Sequence, residues 1–300
     1  MEGFVAKNDL LAALVKQAKA HRGRVPVFRI EQPSVEESVK QAWALATRIW
    51  PQFGDCKFRP EIQGVVLTQM RLPDDGHVRV FHPSGAITGL MRPKGARKPL
   101  ARDERRANRK PLVDLAHRMA SAISKLHAGP DDELRFESQW EMKGQAVTLK
   151  GKKGPVSLFE VLGAFRRYLH GLPVLGRASV HVGVGGDSQV TRWGIDWRRV
   201  RLAPFAETEV VTPEEGAKRV LNDLWWRRPE RPFTLQDFEP KSFTLGYLSL
   251  SRRRAQFVMQ PVWVTVLAPS GVTTMGHVIA VPAAPQAFEP IDRPLPAVQR

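Results

Sequence analysis

Three places in the chain set a hydroxyl side chain three residues before a glutamate at the head of an apolar run: Ser34–Glu37, Ser157–Glu160 and Thr212–Glu215. In a helix start of this kind the hydroxyl accepts a backbone N–H, the glutamate reaches back, and two otherwise orphaned amides are satisfied. Each pair opens an apolar run spaced by threes and fours, which predicts a helix with one buried side. The first helix lines one face with Val35, Val39, Ala42, Trp43, Ala46, Ile49 and Trp50 and stops at Pro51. The second carries Leu158, Val161, Leu162 and Phe165, with Gly171 at the left-handed end position. In the third, Pro213 takes the first helical place and Ala217, Val220, Leu221, Leu224 and Trp225 follow.

Short segments of period two lie between these helices. VVLTQMRL, HVRVF and AITGLM form a meander over 65–91, and ASVHVGV and QVTRWGI flank Gly185, Gly186 and Asp187 as a hairpin. SFTLGYLSL, QFVMQPVWVTVLA and VTTMGHVIAVPA supply three strands near the C-terminus, and LRFESQWEM and QAVTLK supply two in the middle. A further helix is expected through LVDLAHRMASAISKLHAGP, with Leu112, Leu115, Ala116, Met119, Ile123 and Leu126 on one side. The fold class expected is therefore α+β, in tandem small modules, each an antiparallel β-sheet packed on one helix. Ile30–Ile49 and Val210–Leu224 repeat the same order of extended start, cap and apolar helix, which supports a modular chain.

The expected boundaries are an N-terminal amphipathic helix over 1–24, a first module over 25–91 and a basic linker over 92–110. A second module follows over 111–203, a third over 204–284, and a proline-rich tail over 285–300. With 300 residues and 42% hydrophobic content the chain buries a substantial core. Lys and Arg outnumber Asp and Glu by 46 to 30, a net +16 that favours polyanions, acidic proteins or anionic lipid. The single cysteine, Cys56, excludes an internal disulfide and a four-thiolate metal cage. The apolar stretch from Leu10 to Val15 is short for a secretory signal, and no run reaches the ~20 residues of a membrane span, so the expected compartment is the cytoplasm.

Catalytic patterns are sparse. The eight histidines show no metal-ligand spacing, and there is no Gly-x-Ser-x-Gly elbow. GVGGDS sits between two strands and reads as a hairpin turn; GKKGPVS precedes the expected helix start at Ser157, and it reads as an ordinary basic turn, though Lys152, Lys153 and the helix amides have the means to hold an anion. The expectation is a protein that is not an enzyme and uses no cofactor or metal.

Arginine beside tryptophan is the strongest polar signal. Trp193, Trp197, Arg198 and Arg199, with Trp225, Trp226, Arg227 and Arg228, are the candidate partner contacts: the aromatics anchor and the arginines orient an acidic surface. The competing account makes the tryptophans core residues, with arginine stems along their faces. A second candidate surface is polyanion-binding, through Arg97, Lys98, Arg102, Arg105, Arg106, Arg109 and Lys110 of the basic stretch.

Residues 168–200, YLHGLPVLGRASVHVGVGGDSQVTRWGIDWRRV, resemble the signature of PepSY-like and YycH/YycI-like modules, and TPEEGAKRVL, LGYLSL and MQPVWVTV are similar to the third module of such proteins. This resemblance implies small α+β modules that bind and restrain other proteins without catalysis. The chain departs from those relatives in its basicity and in showing neither signal nor anchor. Together these readings predict a protein-binding or scaffold/regulatory protein that engages a macromolecular partner through sheet faces and a basic surface; the alternative is a nucleic-acid-binding protein using the 92–110 stretch and the Trp/Arg segments.

Overall fold

The computed structural model describes residues 9–21, 23–54, 56, 60–73, 76–91, 109–177, 179–185, 188–227, 234, 236–270 and 276–291. Within them the chain is α+β. Its contacts divide it into two compact units, each built from separate stretches. One combines Met1–Ile30, Val200–Leu248 and Phe257–Arg300, the other Glu31–Arg199 and Ser249–Gln256.

In the unit of Glu31–Arg199, helix α2 (Val35–Ile49) is capped as its sequence requires: Ser34 Oγ accepts the Glu37 N–H at 3.1 Å. The meander forms as β3 (Leu67–Arg71), β4 (His77–Phe81) and β5 (Ala86–Leu90), preceded by a short β2 (Pro60–Gln63) that periodicity did not indicate. Helix α3 (Arg109–Ser124) follows, then β6 (Asp132–Val147), β7 (Lys153–Leu169), β8 (Leu172–Leu175), β9 (Val180–Gly185) and β10 (Val190–Ile195). The sheet runs β8-β7-β9-β10-β5-β4-β3-β2, antiparallel throughout, and β6 pairs along the other edge of β7. Ala42, Leu45, Ala46 and Ile49 of α2 and Leu112, Ala116, Ala120 and Ile123 of α3 pack with Met70, Val78, Val80, Ile87, the β9 valines and Trp193 in one core. Both helices therefore cover the same face of the sheet.

Two expectations are corrected here. The segment read as a capped helix from Ser157 is β7, and the two strands read in LRFESQWEM and QAVTLK are one, β6. β7 is paired on both sides over Glu160–Phe165, where Val161, Ala164 and Phe165 are buried. A strand buried on both faces reads as a nearly continuous apolar run, which periodicity alone does not separate from a helix. Gly171 does take the left-handed conformation, φ 76°, but with His170 at φ 47° it forms the two-residue turn between β7 and β8. Two successive positive φ values match the right-handed twist of a hairpin.

The other unit holds α1 (Asp9–Gln17), β1 (Arg24–Arg29), β11 (Ala206–Glu209), α4 (Pro213–Arg227), β12 (Phe238–Leu248), β13 (Val258–Met259), β14 (Pro261–Pro269) and β15 (His277–Pro282). Strands β15-β14-β12 form one meander and β11-β1-β13 a smaller sheet. Thr212 Oγ1 accepts the Glu215 N–H at 3.2 Å, as the third start predicts. Gly216 lets Trp263 lie against α4, since a Cβ there would stand 2.5 Å from the indole; Trp263 stacks on Phe243 with centroids 4.8 Å apart. Leu10 and Leu14 of α1 are fully buried, so in this unit the amphipathic helix is a packing element that ends at Gln17. Among the described residues no helix is long and apolar enough to cross a membrane.

Candidate functional site

The face of the β2–β10 sheet opposite α2 and α3 is the candidate site, and strand register states which residues share it. Trp140 pairs with Leu162, Leu162 with Gly183, Gly183 with Arg192, Arg192 with Leu90, Leu90 with His77, and His77 with Arg71, giving one row across seven strands. The adjacent row runs through Ser138, Ala164, His181, Gly194, Thr88, Arg79 and Gln69. Leu90, His77, Arg79, Thr88 and Arg192 are half-buried here, while their strand neighbours on the helix-covered face are buried. Trp140 is 52% exposed and Met142 38%, so the end of this face at β6 carries an uncovered apolar patch beside Leu162.

The polar groups of the face are mostly spoken for. Glu160, 1% exposed, accepts two bonds from Arg192, at 2.6 and 2.7 Å, and one from the Thr191 hydroxyl at 2.7 Å. A bidentate guanidinium and a hydroxyl offset much of the cost of removing a carboxylate from water. Gly183 makes the pair possible, because a Cβ there would lie 2.0 Å from Glu160 Oε1. Gly194 does the same for His181, whose Cε1 stands 2.1 Å from the position of the missing Cβ. Burial first, and then the guanidinium of Arg252, push the His181 imidazole down to about 4, against Asp196, which raises it, and with smaller contributions from Arg192 and Arg177 in the lowering direction. It is neutral at physiological pH. Asp196 grips Arg252 at 2.5 and 2.6 Å, and Arg79 donates to Gln69 Oε1 at 2.6 Å. Glu61 lies 3.9 Å from Arg71. Arg192, Arg252 and Arg71 thus face carboxylates and Arg79 an uncharged amide, so the face is amphipathic more than basic.

The tryptophans expected to be contacts divide differently. Trp193 is fully buried and Trp197 is 3% exposed, so neither serves as an exposed anchor. Trp193 faces the helices on β10, lying over Gly89 and 5.9 Å from Trp50, and Trp197 is covered by the Arg167 guanidinium at 4.7 Å. Arg198, 3% exposed, donates to the carbonyl oxygens of Pro83, Leu250, Ser251 and Arg254, which ties down the 249–256 segment. Arg199 is half-buried, with Nη2 3.4 Å from the Leu126 carbonyl. The side chains of Trp225, Trp226 and Arg227, and Arg228 as a whole, lie outside the described residues, as do Arg97, Lys98, Arg102, Arg105, Arg106 and the side chain of Arg109. Lys110 is exposed in the first turn of α3.

Sequence reasoning does not single out Trp140 and Met142, because LRFESQWEM reads only as a strand. The available signal was the run Glu137, Gln139 and Glu141 alternating with Ser138, Trp140 and Met142, a pattern that puts one tryptophan and one methionine on a common side.

In the α4-containing unit an open pocket of about 480 Å³ is lined by Arg219, Asn222, Asp223, Val281, Pro282 and Ile291, but Arg219 is committed to the Pro282 and Ala284 carbonyls at 2.9 and 2.7 Å. Among the described residues no group of three or more His, Cys, Asp or Glu side chains is arranged to hold a metal ion.

No family model matches the chain, and no curated protein matches it. Among solved structures it is similar to an uncharacterized protein from Eubacterium rectale ATCC 33656, with 11% identity over 91% of this chain and 86% of that chain and a TM-score of 0.45.

Proposed function

We propose that this chain is a non-catalytic binding protein that docks another protein on the sheet face opposite α2 and α3. The observation that carries the reading is the half-exposed Trp140, with Met142 and Leu162, at the end of a face whose arginines are already paired. A large aromatic held on a strand loses little side-chain entropy on docking, and the paired Arg192, two strands beyond Leu162 in the same row, adds directional hydrogen bonds at modest desolvation cost. The net charge of +16 steers an acidic partner toward the chain before contact. The reading keeps the binding role implied by the PepSY-like and YycI-like resemblance and moves the anchor from Trp193 and Trp197 to Trp140. Within it α2 and α4, each with the antiparallel strands that follow, act as repeated modules: Glu36–Lys40 and Glu214–Lys218 occupy matching places behind the two caps.

A photo-cross-linking residue placed at Trp140, with a matched one at the exposed Leu202 of the other unit, tests this in the native host. The expected result is a discrete adduct from position 140 alone, lost when Met142→Asp is added. Equal labelling from both positions, or none from 140, overturns it; an adduct of twice the chain mass replaces the acidic partner with a second copy.

A further inference from the structure

The β6–β7 ribbon continues beyond the sheet. The last pair between β7 and β9 is Glu160 with Gly185, whereas β6 and β7 stay paired to Val147 and Lys153. The five β6 residues beyond that pair, Lys143–Val147, at ~3.4 Å each give a two-stranded arm about 17 Å long. Its tip is a tight turn: the Gly151 N–H donates to Thr148 O at 2.8 Å, the Lys152 N–H to Thr148 Oγ1 at 3.1 Å, and Gly151 takes φ 77°. Leu149 leads that turn fully exposed. The arm is braced at its root, where Phe159 lies over Gly144 so closely that a Cβ on the glycine would stand 2.6 Å from Phe159 Cε2. Gln145 Nε2 donates across the strands to Gly154 O at 2.7 Å.

Charge separates this arm from the sheet face. From Met142 to Phe159 there are four lysines, Lys143, Lys150, Lys152 and Lys153, and no acidic residue. Lys143 pairs with Glu141, and among the described residues Lys150, Lys152 and Lys153 enter no ion pair. Register then states how charge and apolar groups are distributed: Val147 is opposite Lys153 and Gln145 opposite Val156, so valines and a lysine interleave on one side. Gly144 and Ser157 are also partners, and they leave the other side thin except for Phe159. A bilayer surface selects apolar and basic groups segregated onto opposite faces. Here they are intermixed: Lys153 shares a side with Val147 and Val156, and Lys150 and Lys152 stand with Leu149 in the tip turn, which suits a groove where phosphates and base edges lie close together.

We propose that the β6–β7 arm is a nucleic-acid-binding element that enters the major groove of B-form DNA, with Lys150, Lys152 and Lys153 on the phosphates and Leu149 against the bases. The major groove, about 12 Å wide, admits a two-stranded ribbon, while the deep, narrow major groove of A-form RNA does not. The DNA contact lies at the tip of the ribbon, Leu149–Lys153, and the docking patch at its root, Trp140 and Met142, and neither reading depends on the other.

The test is fluorescence anisotropy of the full chain with a labelled DNA duplex of about 20 base pairs, from about 50 to 200 mM salt, where counterion release makes phosphate contacts visible. The arm variant is Lys150→Gln/Lys152→Gln/Lys153→Gln. The control, Lys40→Gln/Lys218→Gln/Lys241→Gln, removes the same charge from exposed positions elsewhere. The arm variant is expected to bind at least about tenfold more weakly than the control and to lower the salt slope by about 2.7. Leu149→Ala weakens duplex binding several-fold without changing that slope. Circular dichroism melts of all variants confirm folding, since every altered side chain is at an exposed position. Absence of duplex binding by the parent chain at the lowest salt overturns the proposal, as does equal binding by the arm and control variants. Arm-dependent binding to duplex RNA in preference to DNA, or to vesicles of equal phosphatidylglycerol and phosphatidylcholine with DNA binding unaltered, also overturns it.

Discussion

Ser34-Val35-Glu36-Glu37 and Ser157-Leu158-Phe159-Glu160 carry the same start signature and meet opposite fates. In the first, Ser34 caps α2 and the exposed Glu37 carboxylate accepts from Gln41 at 3.0 Å along the helix. In the second, Ser157 faces Gly144 across a ladder, and Glu160 is buried under Arg192 and Thr191. A bulge explains the likeness of their apolar spacing. The ladder skips Phe159 between Leu158 and Glu160, so Leu158 joins Val161 and Phe165 in the core at intervals of three and four. A strand with one extra residue thus imitates the helical period over a single turn. The difference is decided by partners: α2 satisfies its own backbone, while β7 has β6 on one edge and β9 on the other.

The strongest way to break this comparison is at the two glutamates. Glu160→Ala leaves Arg192 and Thr191 without their carboxylate and is expected to cost about 3 kcal/mol or more, whereas Glu37→Ala stays within about 0.5 kcal/mol. Urea unfolding at constant m-value measures both, and equal midpoints would show that Glu160 is not a buried ion-pair partner.

Next in size is a dependence on pH that originates in β9, the strand that holds β7. His181 titrates in the folded chain at about 4, below its ordinary 6.5, so folding favours the neutral ring. Its contribution is complete above pH 6.5 and is lost as pH falls toward 4, on the order of 2 kcal/mol after allowance for the ring's partial exposure. His127, pushed to about 4 by burial and then Arg199, acts in the same direction. His181→Gln should flatten the stability curve across that window; an unchanged slope would assign the loss to other groups.

The serines sharpen the comparison further. Ser34→Ala and Thr212→Ala each remove an N-cap and should cost about 1 kcal/mol, while Ser157→Ala should change stability by less than about 0.5 kcal/mol. A cap-sized loss at Ser157 would mean that a helix starts there. Smallest of all is Lys40→Ala, which breaks an exposed pair with Glu36 and should leave the urea midpoint unmoved at physiological salt.

Much of the architecture is local enough to be read from residues alone. Ser34 and Thr212 announce their helices because a cap and its first turn lie within four residues, and the β3–β5 and β9–β10 segments announce themselves by strict alternation. The site was less legible. Trp193 and Trp140 both sit in alternating strand segments, and nothing local distinguishes the side of a sheet that helices will cover from the side they leave open. The structure buries Trp193 completely and leaves Trp140 half exposed because α2 and α3 pack on one face only. The basic turn GKKGPVS was visible from the start, but its role depended on whether a helix or a second ribbon strand followed it.

By itself, then, the sequence determined the composition of an α+β chain with a strong positive charge, the two capped helices and the alternating hairpins, since these rest on interactions between near neighbours. Only the tertiary structure decided that Ser157 begins no helix, that Glu160 and Arg167 belong in the interior, and that Trp140 and the lysines from 150 to 153 face solvent. Each of those outcomes turns on a partner brought from far along the chain: Arg192 for Glu160, Asp132 for Arg167, and the helices α2 and α3 for the face that Trp140 does not share.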